Sequence, residues 1–498
     1  MASTPVKDLS TLSAAAGELV ASVTGDAAVT GVAYDSRVVQ PGDLFFCVVG
    51  EHHDGHRYAA DAVAEGAAAL CVERVLDIDV PQVVVEDVRR AMAVLASAFF
   101  DHPASSLLML GITGTNGKTT TAFLLESILR AAGRTPGLIG TIETRIAGER
   151  RPGVRTTPES VDLQRLLAEM RDRACDSVAM EVTSHALALD RVAGIRFASA
   201  GFTNLSQDHL DFHSGMEDYF EAKRLLFQPE RATTGAVNVD DDHGRRLFEN
   251  AAIPTVGFGY SEDAAIRASD VNLLPAGSTF DLTTPVGTRA VSLSLAGAFN
   301  VYNALAAAAV ALQAGIDIDA VAEGLSRLDS VPGRFESVVE GQDFAVIVDY
   351  AHTPDSLDNV LRAARRLADI SQGRVLCTFG CGGDRDRAKR PLMGAVVARL
   401  ADVCVVTSDN PRSEDPVAII DEILEGVVAE SSSGADAVLP DRREAIDHVL
   451  RAARPGDVVV IAGKGHETGQ EFSDRTIPFD DRVVAGEILR DLLGSDPA

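Results

Sequence analysis

Three observations predict an α/β fold divided into three domains. The last third of the chain alternates four continuous apolar strands with helical segments, the pattern of a parallel, doubly wound sheet covered on both faces. A buried strand at 106–113 runs through a Gly-rich turn into the helical segment TTAFLLESILRAAG, which opens a second α/β unit. The 498 residues exceed what one core holds, since domains run roughly 100–200 residues each.

The elements follow in order. In residues 1–104, DLFFCVVG (43–50) and PQVVVED (81–87) read as strands, while HRYAADAVAEGA and VRRAMAVLASAFF carry helical spacing. A linker-like HPASS (102–106) closes this domain. Residues 105–332 form the second, with strands SLLMLGIT (106–113), DSVAMEV (176–182), RFASAGFTN (196–204) and GAVNVD (235–240). Within it, Ser214 and Glu217 have the spacing of a capping box, so a helix is expected to start there. Pro-Gly in VPGRFE (331–336) punctuates the next boundary, and 333–498 holds the strands AVIVDYA, RVLCTFG, DVCVVTSD and DVVVIAG. Each is followed at once by a polar cluster: HTPDS, CGGDRDRAKR, NPRSED and GKGHE. Ligands of such sheets sit at the carboxyl ends of the strands, so a site is expected there.

Composition narrows the function. With 73 acidic and 45 basic residues the formal charge is −28, the wrong sign for a general nucleic-acid binder. The start, MASTPVKDLSTLSAAAGELV, lacks a basic segment followed by an apolar core, and no 18-residue apolar run occurs. A cytoplasmic chain without a membrane span is expected. The six cysteines are scattered; Cys377 and Cys381 make a lone C-x3-C pair, weak grounds for zinc. Only five basic residues are lysines: Lys7, Lys118, Lys223, Lys389 and Lys464. Coding bias explains the ratio, but where lysine survives, arginine can be chemically unable to replace it.

The turn GITGTNGKTTT (111–121) has the context of a phosphate cradle: a strand before, a helix after, backbone N–H groups and the helix dipole for the anion. Gly114, Thr115, Asn116, Gly117 and Thr120 supply the loop, Lys118 reaches the terminal phosphates, and Thr119 can ligate Mg²⁺. The strict G-x4-G-K-[ST] spacing is not met, because its first glycine would fall at Ile112. A GTPase is disfavoured: none of the five lysines has an aspartate two places on, as a guanine-specificity motif needs.

Lys223 is out of place. Tyr219, Phe220, Leu226 and Phe227 share its helical stripe, so the amine either snorkels to water or is desolvated with a lowered pKa. A neutral amine can take up CO2 as a carbamate, turning a cation into a carboxylate able to ligate Mg²⁺. Upstream, Asp208, His209, Asp211 and His213 sit at one strand end, and Glu181 and His185 at another. Together with the phosphate loop they suggest a Mg²⁺-nucleotide site.

These residues resemble the Mur ligases, the ATP-dependent amide-forming enzymes of peptidoglycan precursor synthesis. The resemblance rests on TGTNGKTT (113–120), EVTSHAL (181–187), TNLSQDHLDFH (203–213), Lys223, AFNVYNALAA (298–307), PGRFE (332–336) and DYAHTPDSL (349–357), correctly ordered over most of the chain. It implies a small α/β UDP-substrate domain (1–104), a central P-loop ATPase domain with a mixed, mostly parallel sheet (105–332), and a C-terminal Rossmann-like amino-acid-binding domain (333–498). It further implies that ATP phosphorylates a substrate carboxylate and that an amine attacks the acyl phosphate. Thr119 and Glu181 would serve one Mg²⁺, and His209 with carbamylated Lys223 another; Asn300, Asn303, Arg334 and Asp349 would hold the nucleotide.

Within the family, DSR (35–37), GDLF (42–45), GCGGDRD (380–386), SDNPRSEDP (408–416) and AGKGHE (462–467) resemble the members that add a diamino acid to UDP-MurNAc-L-Ala-D-Glu. Asp409, Asn410, Pro411 and Arg412 resemble the signature for meso-diaminopimelate, whose second carboxylate a guanidinium can grip. Arg385, Gly463 and Glu467 would complete that pocket, Glu467 facing an ammonium group. UDP-sugar contacts would fall on Ser36, Glu51, His52, His53, Thr156, Thr157, Thr183 and Arg191. Relatives often carry glutamine where Leu189 stands, so no contact is assigned to it. The family is usually monomeric, and a monomer is expected. The alternatives are a lysine-adding ligase, folylpolyglutamate synthase, the D-Ala-D-Ala-adding ligase and a non-catalytic nucleotide-binding regulator.

Overall fold

The computed structural model describes residues 5–50 and 53–494. Three sheets carry the fold. The first has five strands in the order Val20–Thr24, Gln82–Val85, Ala69–Val72, Asp43–Phe46, Gly31–Ala33, parallel except at Val20–Thr24. Alternation sends Leu44, Phe46 and Cys71 toward helix Val88–Phe99, and Phe45, Leu70 and Val72 toward helix Ala59–Ala64.

The second sheet has eleven strands. Its middle is parallel, in the order Pro136–Ile139, Ser177–Glu181, Leu108–Thr113, Phe197–Phe202, Ala232–Asn238, Thr255–Gly259. A hairpin, Glu143–Ile146 with Glu149–Pro152, extends one edge, and the meander Ile266–Leu274, Gly277–Thr284, Gly287–Leu293 extends the other. Helices Lys118–Ala131 and Ala298–Gln313 cover one face; the run Ala304–Ala311 is fully buried, its small side chains letting the helix sit close to its neighbours. Helix Ser160–Asp172 and the segment around Tyr219 and Phe227 cover the other face.

The third sheet runs Glu336–Ser337, Ala345–Asp349, Val458–Ala462, Val375–Phe379, Val403–Thr407, Ala437–Leu439, parallel after the first strand. The four apolar strands read from the sequence lie side by side, and their carboxyl ends carry the four polar clusters. The edge hairpin, the meander and the strand at 437–439 lie outside the sequence reading. The expected capping box at Ser214 does not form: the helix spans Met216–Arg224 behind Gly215, the Ser214 N–H donates to Asp218, and Glu217 pairs with Arg246 instead.

Polar contacts join the sheets. Asn116 donates to Asp355 at 2.7 Å, Arg334 to Thr119 at 3.1 Å, and Lys389 meets Asp208 at 3.3 Å. Tyr34 donates to Asp162 at 2.6 Å across the first boundary. All six cysteines are free and buried. Among the described residues, no helix is long and apolar enough to cross a membrane.

Candidate active site

The loop between strand Leu108–Thr113 and helix Lys118–Ala131 is shaped by two glycines. At Gly114 (φ +142°) a Cβ would lie 1.9 Å from Thr203 Oγ1, and at Gly117 (φ +88°) 2.2 Å from Asn303 Oδ1. Only glycine fits both the dihedral and the space, so the loop backbone can approach a ligand closely. Lys118 folds back to donate to the Gly114 and Thr115 carbonyls at 3.0 and 2.8 Å. Burial pushes its ammonium below the usual lysine range, with Glu181 and Asp208 opposing.

Lys223 does not snorkel. It is buried, its amine donating to the Gly114 carbonyl at 2.7 Å and lying 4.3 Å from the centre of the Tyr219 ring. Burial, and then Lys118 beside the same carbonyl, drive it well below the usual lysine range. Its side chain is not among those that line the cavity before the phosphate loop.

That cavity, of about 720 Å³, opens before the loop and is walled by the central and C-terminal domains. Thr115, Asn116, Gly117, Lys118, Thr119, Thr120, Asn303, Arg334 and Asp349 line it, with Thr156, Thr157, Thr183, Arg191 and Arg385 on the same wall system. Thr119 donates to Glu181 Oε2 at 3.0 Å, and Thr141 donates to both carboxylate oxygens through its backbone N–H and hydroxyl. This hard oxygen set at the mouth of a phosphate loop fits one Mg²⁺. Among the described residues, no group of three or more His, Cys, Asp or Glu side chains is arranged to hold a metal.

His185 and His209 lie edge to face in the cavity wall, 4.9 Å apart. Burial holds His185 down at about 4 and His209 at about 3, both neutral near pH 7. His209 takes a left-handed φ of +57°, a conformation that costs a non-glycine residue free energy. Burial opposes the charge of Asp208, but Lys389, His209 and His352 outweigh it and keep its carboxyl below the usual range. Thr157 donates to the Glu181 carbonyl and accepts from the Thr183 N–H, while Arg191 reaches the Thr157 carbonyl and Glu159.

Asn303 donates to Asn300, and Asn300 donates to the Ala296 carbonyl without itself lining the cavity. Asp349 accepts from the N–H groups of Phe335 and Ala351, and burial pushes its carboxyl up. Arg334 lies 4.4 Å from the Tyr350 ring centre.

The remaining C-terminal residues form a second cluster behind Arg385, off the main cavity. Asp409 accepts from the Asn410 N–H, and Gly463 (φ +116°) lets the Asp409 carboxylate within 2.4 Å of where a Cβ would stand. Pro411 packs its carbonyl against Gly383. Arg412, at φ +51°, donates to the Gly383 carbonyl at 2.7 Å and to Glu471 at 3.1 Å. Glu467 already faces an ammonium group, that of Lys464, which bonds both Glu467 and Asn410 at 2.9 Å. Ser36 and His53 lie in the first domain away from the cavity lining; Glu51 and His52 fall outside the described residues. Arg155, Asp240, Tyr302 and Asp355 line the cavity without having been singled out as site residues. Tyr302 lies in AFNVYNALAA, Asp240 at the end of the strand GAVNVD and Asp355 in the HTPDS cluster, signals that could have found them, whereas Arg155 stands in no such motif.

The chain matches the Mur ligase middle domain over residues 112–311, the Mur ligase glutamate ligase domain over 333–465, and the Mur ligase family catalytic domain over 28–100. UDP-N-acetylmuramoyl-L-alanyl-D-glutamate--2,6-diaminopimelate ligase of Streptomyces coelicolor is 48% identical over 485 residues, covering 95% of each chain. Its namesake from Syntrophomonas wolfei is 47% identical over 470 residues, 93% of this chain and 95% of its own. A solved structure of a ligase of the same name superposes with a TM-score of 0.66 at 33% identity, covering 94% and 96% of the two chains. A MurF ligase from Thermotoga maritima in complex with ADP, 20% identical over 93% of this chain and 96% of its own, shares the fold with a TM-score of 0.61. With all three sheets matched and nearly half of all positions identical over almost its whole length, the chain belongs to the Mur ligase family.

Proposed function

We propose that this Mur ligase uses ATP to join meso-2,6-diaminopimelate to the D-glutamyl carboxylate of UDP-MurNAc-L-Ala-D-Glu. The observation that carries the reading is one cavity shared by the glycine-shaped phosphate loop, the Thr156, Thr157 and Arg191 wall, and Arg385 from the domain that bears the Asp409–Arg412 loop. The substrate carboxylate attacks the γ-phosphate, ADP leaves, the amine attacks the acyl carbon, and inorganic phosphate leaves with its bonding electrons. Lys118, released from the Gly114 and Thr115 carbonyls, offsets charge on the transferring group, and the loop N–H groups orient it. Asn303, Arg334 and Asp349 hold the nucleotide. Thr119 and Glu181 would hold one Mg²⁺ and His209 with a carbamylated Lys223 the other, where the ions supply further charge neutralisation. Arg412 grips the distal carboxylate of diaminopimelate, and Ser36 and the 51–53 segment reach the UDP-sugar.

The reaction is cytoplasmic and the enzyme a monomer on this reading. Phosphate release is measured with UDP-MurNAc-L-Ala-D-Glu and ATP, supplying either meso-diaminopimelate or L-lysine. Release with diaminopimelate alone is expected; release with L-lysine alone overturns the choice of amine, and release with neither overturns the ligase reading.

A further inference from the structure

Arg442 and Asp481 form an ion pair in the C-terminal domain in which neither side chain has exposed surface. They stand at the first positions of helices Arg442–Ala452 and Asp481–Gly494. Arg442 donates Nε to Asp481 Oδ1 at 2.8 Å and Nη2 to Oδ2 at 2.7 Å, a bidentate fork. Its remaining reach goes to two backbone carbonyls, Nη1 to Ser408 at 3.2 Å and Nη2 to Ala462 at 2.9 Å.

The Ala462 carbonyl ends strand Val458–Ala462 and the Ser408 carbonyl stands one residue past strand Val403–Thr407; the two strands are not neighbours, because strand Val375–Phe379 runs between them. No ladder hydrogen bond can fix the distance between their ends. The guanidinium spans that gap, one residue before Asp409 and one before Gly463. The backbone between is tight, since a Cβ at Gly380 would meet the Thr407 carbonyl at 2.5 Å, and one at Gly463 would meet Asp409 Oδ2 at 2.4 Å. Beyond the clamp the two loops are stitched directly: Lys464 to Asn410, Asn410 to Glu467, and Gln470 to the Asp409 carbonyl. Small changes in loop spacing therefore act on every one of those bonds. A well-packed apolar pair could replace a buried ion pair at no loss of stability, so stability alone does not account for this one. A planar fork that holds a carboxylate on one edge and two separated carbonyls on the other is a job neither lysine nor an apolar residue can do.

We infer that Arg442, braced by Asp481, is a positioning residue that sets the spacing of the 409–412 and 463–467 loops and so the enzyme's discrimination among diamino acids. This rests on the reading of those loops as the amine site. The test uses the full-length enzyme carrying Arg442→Met with Asp481→Leu, which removes both charges, and separately Arg442→Lys. In the double variant the KM for meso-diaminopimelate is expected to rise roughly tenfold or more, with the KM for ATP within about twofold and the preference over L-lysine reduced. Arg442→Lys, keeping charge but not the fork, gives a smaller rise in the same constant. An unchanged diaminopimelate KM in either folded variant overturns the inference, as does an equal rise in the KM for ATP. Backbone amide exchange separates this from failure of the amine-site reading, because it needs no substrate. Faster exchange at 409–412 and 463–467, with 403–407 and 458–462 unchanged, is the expected signature; unaltered exchange in the loops overturns the clamp.

Discussion

Gly117→Ala is the sharpest test of the phosphate loop. At φ +88° an L-residue is strained by about 1–2 kcal/mol, the cost of the left-handed conformation. The new methyl would stand 2.2 Å from Asn303 Oδ1 and 3.2 Å from its Cγ. Asn303 cannot swing away freely, because its amide donates to the buried Asn300, a bond worth about 1 kcal/mol. Overpacking of this kind adds about 1–3 kcal/mol. The sum, about 3–6 kcal/mol, is expected to appear as a shifted loop and a loss of roughly two to four orders of magnitude in kcat/KM for ATP. Gly133→Ala is the matched control: its φ is +76° and a Cβ there meets nothing within 4 Å, so it carries the strain without the clash. Phosphate release at saturating carboxylate and amine, titrated with ATP, is the assay, with thermal melts of both variants alongside. A KM for ATP within twofold of wild type in Gly117→Ala, or an equal loss in Gly133→Ala, refutes the reasoning.

Arg412→Ala should raise the KM for meso-diaminopimelate by roughly 10–100-fold, a lost charge-assisted pair of about 1.5–3 kcal/mol, while the KM for ATP holds; an unchanged diaminopimelate KM removes Arg412 from the amine site. Lys389→Met leaves Asp208 buried without its ammonium and should cost about 3–5 kcal/mol; adding Asp208→Asn should restore part of it, and strict additivity in the melts argues against coupling. Lys223→Ala should be nearly inactive and partly rescued by short carboxylic acids, whereas wild-type activity removes the carbamate. Burial holds His352 and His466 down at about 4 and 3, so the folded chain keeps them neutral while the unfolded chain takes up protons near 6.5. Stability contributed by these groups is thus full above pH 6.5 and falls toward pH 4; a Tm that does not drop between pH 7.5 and pH 5 contradicts this.

The parallel strands were legible because a strand buried on both faces reads as an unbroken apolar run, as in Leu108–Thr113 and Val458–Ala462. The 266–293 meander was not. Its first strand pairs half-exposed positions with a register shift between Ser269 and Asn272, where Asp270 turns to φ +51°, so the alternation breaks just where it would be read. Ser214 and Glu217 had the right spacing for a cap, but partners distant in sequence or on the next turn won both groups. Lys464 stood in a recognisable motif, yet its bond to Asn410 spans 54 positions and belongs to the fold. Arg442 looks like any arginine opening an amphipathic helix, and only the crossing of the chain around it buries it.

The six buried cysteines have a practical consequence. They are distributed as Cys47 and Cys71 in the first domain, Cys175 in the second, and Cys377, Cys381 and Cys404 in the third. Burial raises every one of these thiols above its usual range, which leaves little thiolate to react while the fold is intact. Alkylation therefore becomes a clock for opening. A pulse of thiol reagent followed by peptide mapping reads, without any engineered probe, which of the three cores opens first and whether nucleotide slows the opening of the two that enclose it.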